Sequence, residues 1–230
     1  MEQIKTVIIT QARTGSTRLP GKILLKIGGN ELLKIHLNRL QKCKMANQII
    51  VATTTAPEDE VIVSLCNKWG VNTTRGAVDD VLDRFYQTAK VINPVWVVRV
   101  TSDCPLIDPE LIDAVIAMAQ VNDVDYCSNG LIENFPDGQD IEVFKFSSLK
   151  KAWLNAKLKS EREHVTPYIR TNANFNKGNL FNAINCPCGY DFSKVRMTVD
   201  EPADFELMEK LINELGTGET WLTYTNYIIE

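Results

Sequence analysis

Three apolar runs constrain the fold of this chain more than any other feature: Val7-Ile-Ile9, Ile49-Ile-Val-Ala-Thr53 and Val95-Trp-Val-Val-Arg-Val100. Short continuous runs of this kind suit strands buried on both faces. Apolar residues recur at helical spacing between them. Leu33, Leu37 and Leu40 follow the first run. Val61, Leu65 and Trp69, with Ile62 and Cys66, follow the second and stop at Gly70. A short strand near residues 71–73 leads to Arg75-Gly76, and Val78, Leu82, Phe85 and Ala89 form the next helical stripe. Asp108 or Pro109 opens a helix carrying Leu111, Ile112, Val115 and Ile116. Repeated strand–helix units imply an α/β fold of three layers, a mainly parallel sheet with helices on both faces.

The rhythm breaks after residues 124–127. Residues 128–140 are polar and contain Gly and Pro. Residues 141–146 alternate like a half-buried strand. Two helices are expected near 147–157 and 160–173, then a strand near 180–184. Residues 196–199 read as a returning strand, and Phe205, Met208, Leu211 or Ile212, and Leu215 as a closing helix. No repeat or flexible linker interrupts the chain. We therefore expect one domain over 1–230, with 128–190 as an inserted, lid-like subregion.

The loop after the first strand reads Gln11-Ala-Arg-Thr-Gly-Ser-Thr-Arg-Leu-Pro-Gly-Lys22. A loop leaving the carboxyl end of a strand is where open α/β sheets bind ligands. Gly15 and Gly21 let the backbone bend, and Ser16 and Thr17 offer hydroxyls. Arg13, Arg18 and Lys22 place three cations here, in a chain of net charge −4. That is a cradle for a polyphosphate. It is not a P-loop: five residues separate Gly15 from Gly21, and Ile23 rather than Ser or Thr follows Lys22. The rival reading is a basic surface turn.

This loop resembles that of the cytidylyltransferases that activate acidic sugars such as 3-deoxy-manno-octulosonate and sialic-acid-like compounds. The likeness is nearest to the spore-coat polysaccharide branch. It extends through Asp79-Asp-Val-Leu-Asp-Arg84, Val100-Thr-Ser-Asp-Cys-Pro-Leu-Ile-Asp108, Phe135-Pro-Asp-Gly-Gln-Asp-Ile-Glu-Val143, Arg162-Glu-His-Val-Thr-Pro167 and Arg196-Met-Thr-Val-Asp-Glu-Pro202. The resemblance implies a nucleotide-diphospho-sugar transferase-like fold and transfer of CMP from CTP to a sugar or sugar acid. It also implies a homodimer joined partly through residues 128–190.

Site residues follow on that footing. Arg13 and Lys22 would hold the β- and γ-phosphates, Ser16 would donate to a phosphate oxygen, and Gly15 would admit the backbone. Ala12, Arg13 and Arg75 would meet the cytosine. A nucleotide triphosphate calls for a divalent cation, here Mg²⁺. Asp103 and Asp200, each at the end of an expected strand, are the metal carboxylates, with Asp103 also catalytic. Each also fits a bland role, Asp103 in a turn and Asp200 as a helix cap. Asp137, Asp140, Glu142, His164 and Arg170 are the acceptor-binding candidates. Arg or His suits a carboxylate, Asp or Glu a hydroxyl or amine. His164 fits a hydrogen-bonded structural residue as well, and Asp79 to Arg84 a capped helix start.

Composition narrows the alternatives. A pI near 5.4 argues against nucleic acid. No run approaches the roughly 20 apolar residues of a membrane span. The N-terminal Met-Glu-Gln-Ile-Lys lacks the regions of a signal peptide, so we expect a cytoplasmic protein. The six cysteines are scattered, and Cys186-Pro-Cys188 lacks zinc spacing, so free thiols are expected. Three rivals remain open: a sugar-1-phosphate nucleotidyltransferase using another base, a glycosyltransferase of similar fold, and a nucleotide-binding subunit without catalysis.

Overall fold

A computed structural model describes residues 5–230. In chain order the elements are β1 (Thr6–Gln11), a small hairpin of β2 (Lys26–Ile27) and β3 (Asn30–Glu31), α1 (Leu32–Leu40), β4 (Gln48–Thr54), α2 (Glu60–Lys68), β5 (Asn72–Gly76), α3 (Val81–Ile92), β6 (Trp96–Thr101) and α4 (Pro109–Val121). The second half adds β7 (Tyr126–Ser128), β8 (Glu142–Lys145), α5 (Phe146–Asn155), α6 (Lys159–His164), α7 (Pro167–Thr171), β9 (Ala183–Asn185), α8 (Pro202–Leu215) and α9 (Trp221–Ile229).

One seven-stranded sheet runs in the order β5-β4-β1-β6-β8-β7-β9. Neighbours pair in parallel except β8, which is antiparallel to β6 and β7. The apolar runs lie at its centre because both faces are covered. Ile8, Val51 and Val98 pack against Leu33, Leu37, Ile62, Cys66, Ile112 and Val115 from α1, α2 and α4. Val7, Ile9, Ala52 and Val97 point the other way, onto Leu82 and Phe85 of α3 and Leu149 of α5. Full burial of each such side chain is worth about 1.5–3 kcal/mol. A third cluster joins Leu32 and Ile35 to Met197, Val199, Met208, Leu211 and Tyr224, and seats α8 and α9. No described helix is long and apolar enough to cross a membrane.

Several local expectations change. After the first loop a single 3₁₀ turn, Lys22–Leu24, precedes β2. Strand β8 is buried on both faces, because β6 and β7 flank it and helices cover it. The helix expected over 160–173 is broken into α6 and α7 at Val165 and Thr166, and Pro167 opens α7 at its first position, where its missing N–H costs nothing. Val165 takes φ +71°, a strained value for a β-branched residue, with its side chain fully buried.

Residues 196–199 form no sheet strand. They are extended but bond to loops: Met197 N donates to Asp137 O at 2.7 Å, and Val199 N to Asp103 O at 2.8 Å. Gly138 permits that approach, since a Cβ there would stand 2.6 Å from the Met197 carbonyl carbon. Helix α9 was not expected; its Trp221 and Tyr224 cover apolar surface left by the rest of the chain.

Candidate active site

Strands β1 and β6 are adjacent and end in register, Gln11 opposite Thr101. The loop after β1 and the turn after β6 therefore share one rim. A cavity of about 570 Å³ opens there. Ala12, Arg13, Gly15, Ser16, Lys22, Asp103 and Asp200 all line it, so seven residues expected in the nucleotide and metal sites converge.

The loop is held from below. Asp59, buried just before α2, accepts from Thr14 N and Thr14 Oγ1, both at 2.7 Å, and from Thr54 Oγ1. Ser16 N and Gly21 N both donate to Thr14 O, at 2.9 and 3.0 Å. Fixing Thr14 thus fixes the curve of the whole loop. Sequence reasoning passed over Asp59, which lies 45 residues from its partner.

Lys22 occupies the centre. Its Nζ lies 2.8 Å from Asp103 Oδ2 and 2.8 Å from Asp200 Oδ1. Burial alone would lower the pKa of Lys22, but Asp103 and Asp200 outweigh it and raise the value. Burial likewise pushes Asp200 up, yet Lys22, Arg196 and Arg18 hold it below the ordinary carboxylate range. At neutral pH the ammonium and the Asp200 carboxylate are therefore charged. The second oxygen of Asp200 meets Arg196 at 2.7 Å and Arg18 at 3.1 Å. Arg196 also holds Asp137 and Asp204, a network sequence reasoning missed. Asp103 and Asp200 thus already share one cation. Two carboxylates of this kind fit a hard divalent ion that takes its other ligands from phosphate and water. Among the described residues no group of three or more metal-ligating side chains exists.

A second cavity of about 660 Å³ adjoins the first, and the two share Arg99, Thr101 and His164. Asp137, Asp140, Glu142, His164 and Arg170 all line it, so the five acceptor candidates also come together. Their freedom differs. Glu142 is committed: Arg99 Nη1, Tyr126 Oη and Thr166 Oγ1 each lie 2.5 Å from it. Burial pushes its pKa up, but Arg99 and the two hydroxyls bring it below the usual value. Asp140 is solvent-accessible, yet enough protein surrounds it to raise its pKa despite the Gly138 N–H. His164 is exposed rather than a core residue. Among the described residues the Arg170 guanidinium makes only a 3.4 Å contact, to Gly130 O, and it lines the cavity.

Arg75 does not join the site. It lines neither cavity, and its guanidinium binds Thr54 O, Ala56 O and Glu60. Its position at the outer edge of the sheet, next to the β4–α2 connection, turns the side chain that way. Instead Gln11, Arg84 and Arg99 line the first cavity, and each carries a buried polar atom that no group among the described residues meets.

Residues 7–217 match the cytidylyltransferase family. The chain belongs to that family. Membership makes it a nucleotidyltransferase. An uncharacterised protein of Methanocaldococcus jannaschii is 46% identical over 208 residues, covering 90% of this chain and 83% of its own. The spore coat polysaccharide biosynthesis protein SpsF of Bacillus subtilis is 33% identical, covering 91% of this chain and 87% of its own. Among solved structures, a cytidylyltransferase from Leptospira borgpetersenii superposes with a TM-score of 0.92 at 34% identity, over 99% of this chain and 94% of that one. A CMP:2-keto-3-deoxy-manno-octonic acid synthetase complexed with CTP superposes at 0.64 with 17% identity, over 91% and 99%, which shows a shared fold.

Proposed function

We propose that this cytidylyltransferase transfers CMP from CTP to a sugar or sugar acid, with release of pyrophosphate, in surface polysaccharide or glycoconjugate synthesis. The observation that carries the reading is the convergence of Asp103 and Asp200 on Lys22, beside the Arg13–Ser16 loop and at the border of the second cavity. The CTP complex of the octonic acid synthetase, a protein of the same fold, supports the nucleotide, and the Bacillus relative supports the pathway class.

The chain's own groups have defined tasks in this reading. Arg13, Ser16 and the amides around Gly15 bind the triphosphate. Lys22 neutralises charge between the nucleotide and the two aspartates. A divalent cation at Asp103 and Asp200, Mg²⁺ in our reading, would supply further neutralisation of the transferring phosphate. The acceptor oxygen bonds to the α-phosphorus as the bond to the bridging oxygen breaks. Its proton passes to solvent, and pyrophosphate leaves toward Arg13. The protein's contribution is positioning and electrostatics, as expected for phosphoryl transfer. Arg170 and His164 take an acidic group of the acceptor, and Asp137 and Asp140 its hydroxyls. Region 128–190 acts as the acceptor-binding and oligomerisation part of a single cytoplasmic domain. Its exposed Leu154, Leu158, Phe175 and Leu180 support a homodimer.

A pyrophosphate-release screen tests this reading. CTP is offered with nonulosonic acids, octulosonates and phosphorylated small acceptors, with and without Mg²⁺. Release that needs CTP, Mg²⁺ and a sugar acid is expected. CTP binding without turnover on any acceptor would instead favour a nucleotide-binding role.

A further inference from the structure

Arg84 closes the first turn of α3 and lines the first cavity, yet it is only 4% exposed. Its Nε and Nη1 meet no acceptor among the described residues. The two nearby carboxylates are committed elsewhere. Asp59 serves Thr14 and Thr54, and Asp80 serves Arg162 at 3.0 Å and caps α3 through Asp83 N. Arg13 stands close enough to disfavour the charge on Arg84 further. A buried guanidinium with a cation beside it and no acceptor is costly, so stability does not explain it.

The chain also makes room for this side chain. A Cβ on Gly76 would stand 2.6 Å from Arg84 Cγ. Gly76 has no positive φ, so its backbone does not call for glycine. The space is what the glycine provides. Apolar residues line the same cavity: Ala12, Val78 and Val81. Flat apolar contact with a donor-only head is the equipment to hold a base, whereas Gly15, Ser16 and Lys22 carry the features suited to phosphate.

We propose that Arg84 reads the pyrimidine edge of the nucleotide and sets the preference for cytosine over uracil. The inference rests on the nucleotide reading above. Cytosine presents two neighbouring acceptors, O2 and N3. Uracil presents O2 beside an N3–H. A guanidinium only donates, so cytosine satisfies two of its N–H groups, and uracil sets one N–H against another. Gly76 acts with Arg84 as a positioning residue.

The test measures CTP, CMP and UTP binding by calorimetry to wild type, Arg84→Met and Gly76→Ala, with melting temperatures alongside. Arg84→Met keeps much of the volume and removes the buried charge, so the fold should hold. It should weaken CTP and CMP by the same factor, about ten- to a hundredfold, and leave UTP little changed. The CTP/UTP ratio then falls toward one. Gly76→Ala keeps the guanidinium but pushes it aside, and should lower the same ratio. A loss for CTP that spares CMP would place Arg84 on the outer phosphates and overturn the proposal. So would an unchanged CTP/UTP ratio in both folded variants, with the nucleotide reading left standing. Wild-type protein that binds neither CTP nor CMP would remove both.

Discussion

The two cavities share a wall but differ in charge. The first is lined by six cations, Arg13, Arg18, Lys22, Arg84, Arg99 and Lys159, against four carboxylates, Asp79, Asp103, Glu163 and Asp200. The second has four carboxylates, Glu133, Asp137, Asp140 and Glu142, against two arginines, Arg99 and Arg170. A polyanion fits the first. A body rich in hydroxyls, with one anionic group for Arg170, fits the second. Their common wall of Arg99, Thr101 and His164 is where an acceptor oxygen could meet the nucleotide. The contrast teaches that one rim of the sheet can serve two ligands if the charge balance reverses across a single strand, β6.

The largest effect should come from the aspartates on the nucleotide side. Asp103→Asn and Asp200→Asn should each lower turnover by about 10² or more, because in the proposed function each removes a full charge from the reaction centre. Steady-state pyrophosphate release at saturating Mg²⁺ measures this. Near-wild-type rates in both would erase the functional difference between the two cavities.

On the acceptor side, Arg170→Ala should raise the KM for an acidic acceptor by about ten- to a hundredfold, the worth of one charge-assisted contact. The KM for CTP should not move, since Arg170 lines only the second cavity. A matched rise in both constants would mean that the cavities act as one.

The sequence revealed these two regions unequally. The first was legible because its loop is contiguous, from Gln11 to Lys22, and because Asp103 stands two residues past the end of an apolar buried strand. Asp200 reaches the rim of Asp103 by another route than the expected strand: the segment before it is bonded to the Asp137 and Asp103 loops. The second cavity was found through resemblance, and its internal pairing was not. Which carboxylate is free and which is committed depends on Arg99 meeting Glu142 and Arg196 meeting Asp137, contacts 43 and 59 residues apart. Helical and strand periodicity reports which face is buried; it carries no information about ion pairs between distant elements. Arg84 was hidden for a related reason, since an Arg on the first turn of a capped helix reads as a surface charge.

Glu142 gives a smaller and separable effect, on stability. Its folded pKa lies below the ordinary value near 4.5, because Arg99, Thr166 and Tyr126 outweigh burial. A depressed carboxyl stabilises the fold above its unfolded pKa, and this contribution is lost as pH falls through the folded value. At pH 7, Glu142→Gln should cost about 1–2 kcal/mol, a few degrees in Tm for a chain of this size. The gap between wild type and variant should begin to narrow as pH falls below about 4.5, where Glu142 of the unfolded chain gains a proton, and close as pH falls through the lower value of the folded state. Thermal melts from pH 7 to pH 3 read it directly. A gap that stays constant would show that Glu142 does not depend on its charge. Turnover on the nucleotide side should change far less than in the aspartate variants.

The smallest effect concerns the outer edge of the nucleotide side, and it separates two arginines. Arg75 ends near the expected base position in sequence but spends its donors on Thr54 O, Ala56 O and Glu60. The Glu60 partner is more than half exposed, so that ion pair is worth at most about 1 kcal/mol. Arg75→Ala should therefore change the CTP/UTP preference less than about twofold and lower Tm by only a few degrees. Binding of the two nucleotides to the folded variant is the measurement. A collapse of the preference in Arg75→Ala, with Arg84→Met unaffected, would return base recognition to Arg75. It would also require the Arg75 side chain to leave Glu60 and turn into the cavity when nucleotide binds. The fixed alternative, a guanidinium already buried at the cavity wall, needs no such movement, and this is why Arg84 is expected to carry the larger share.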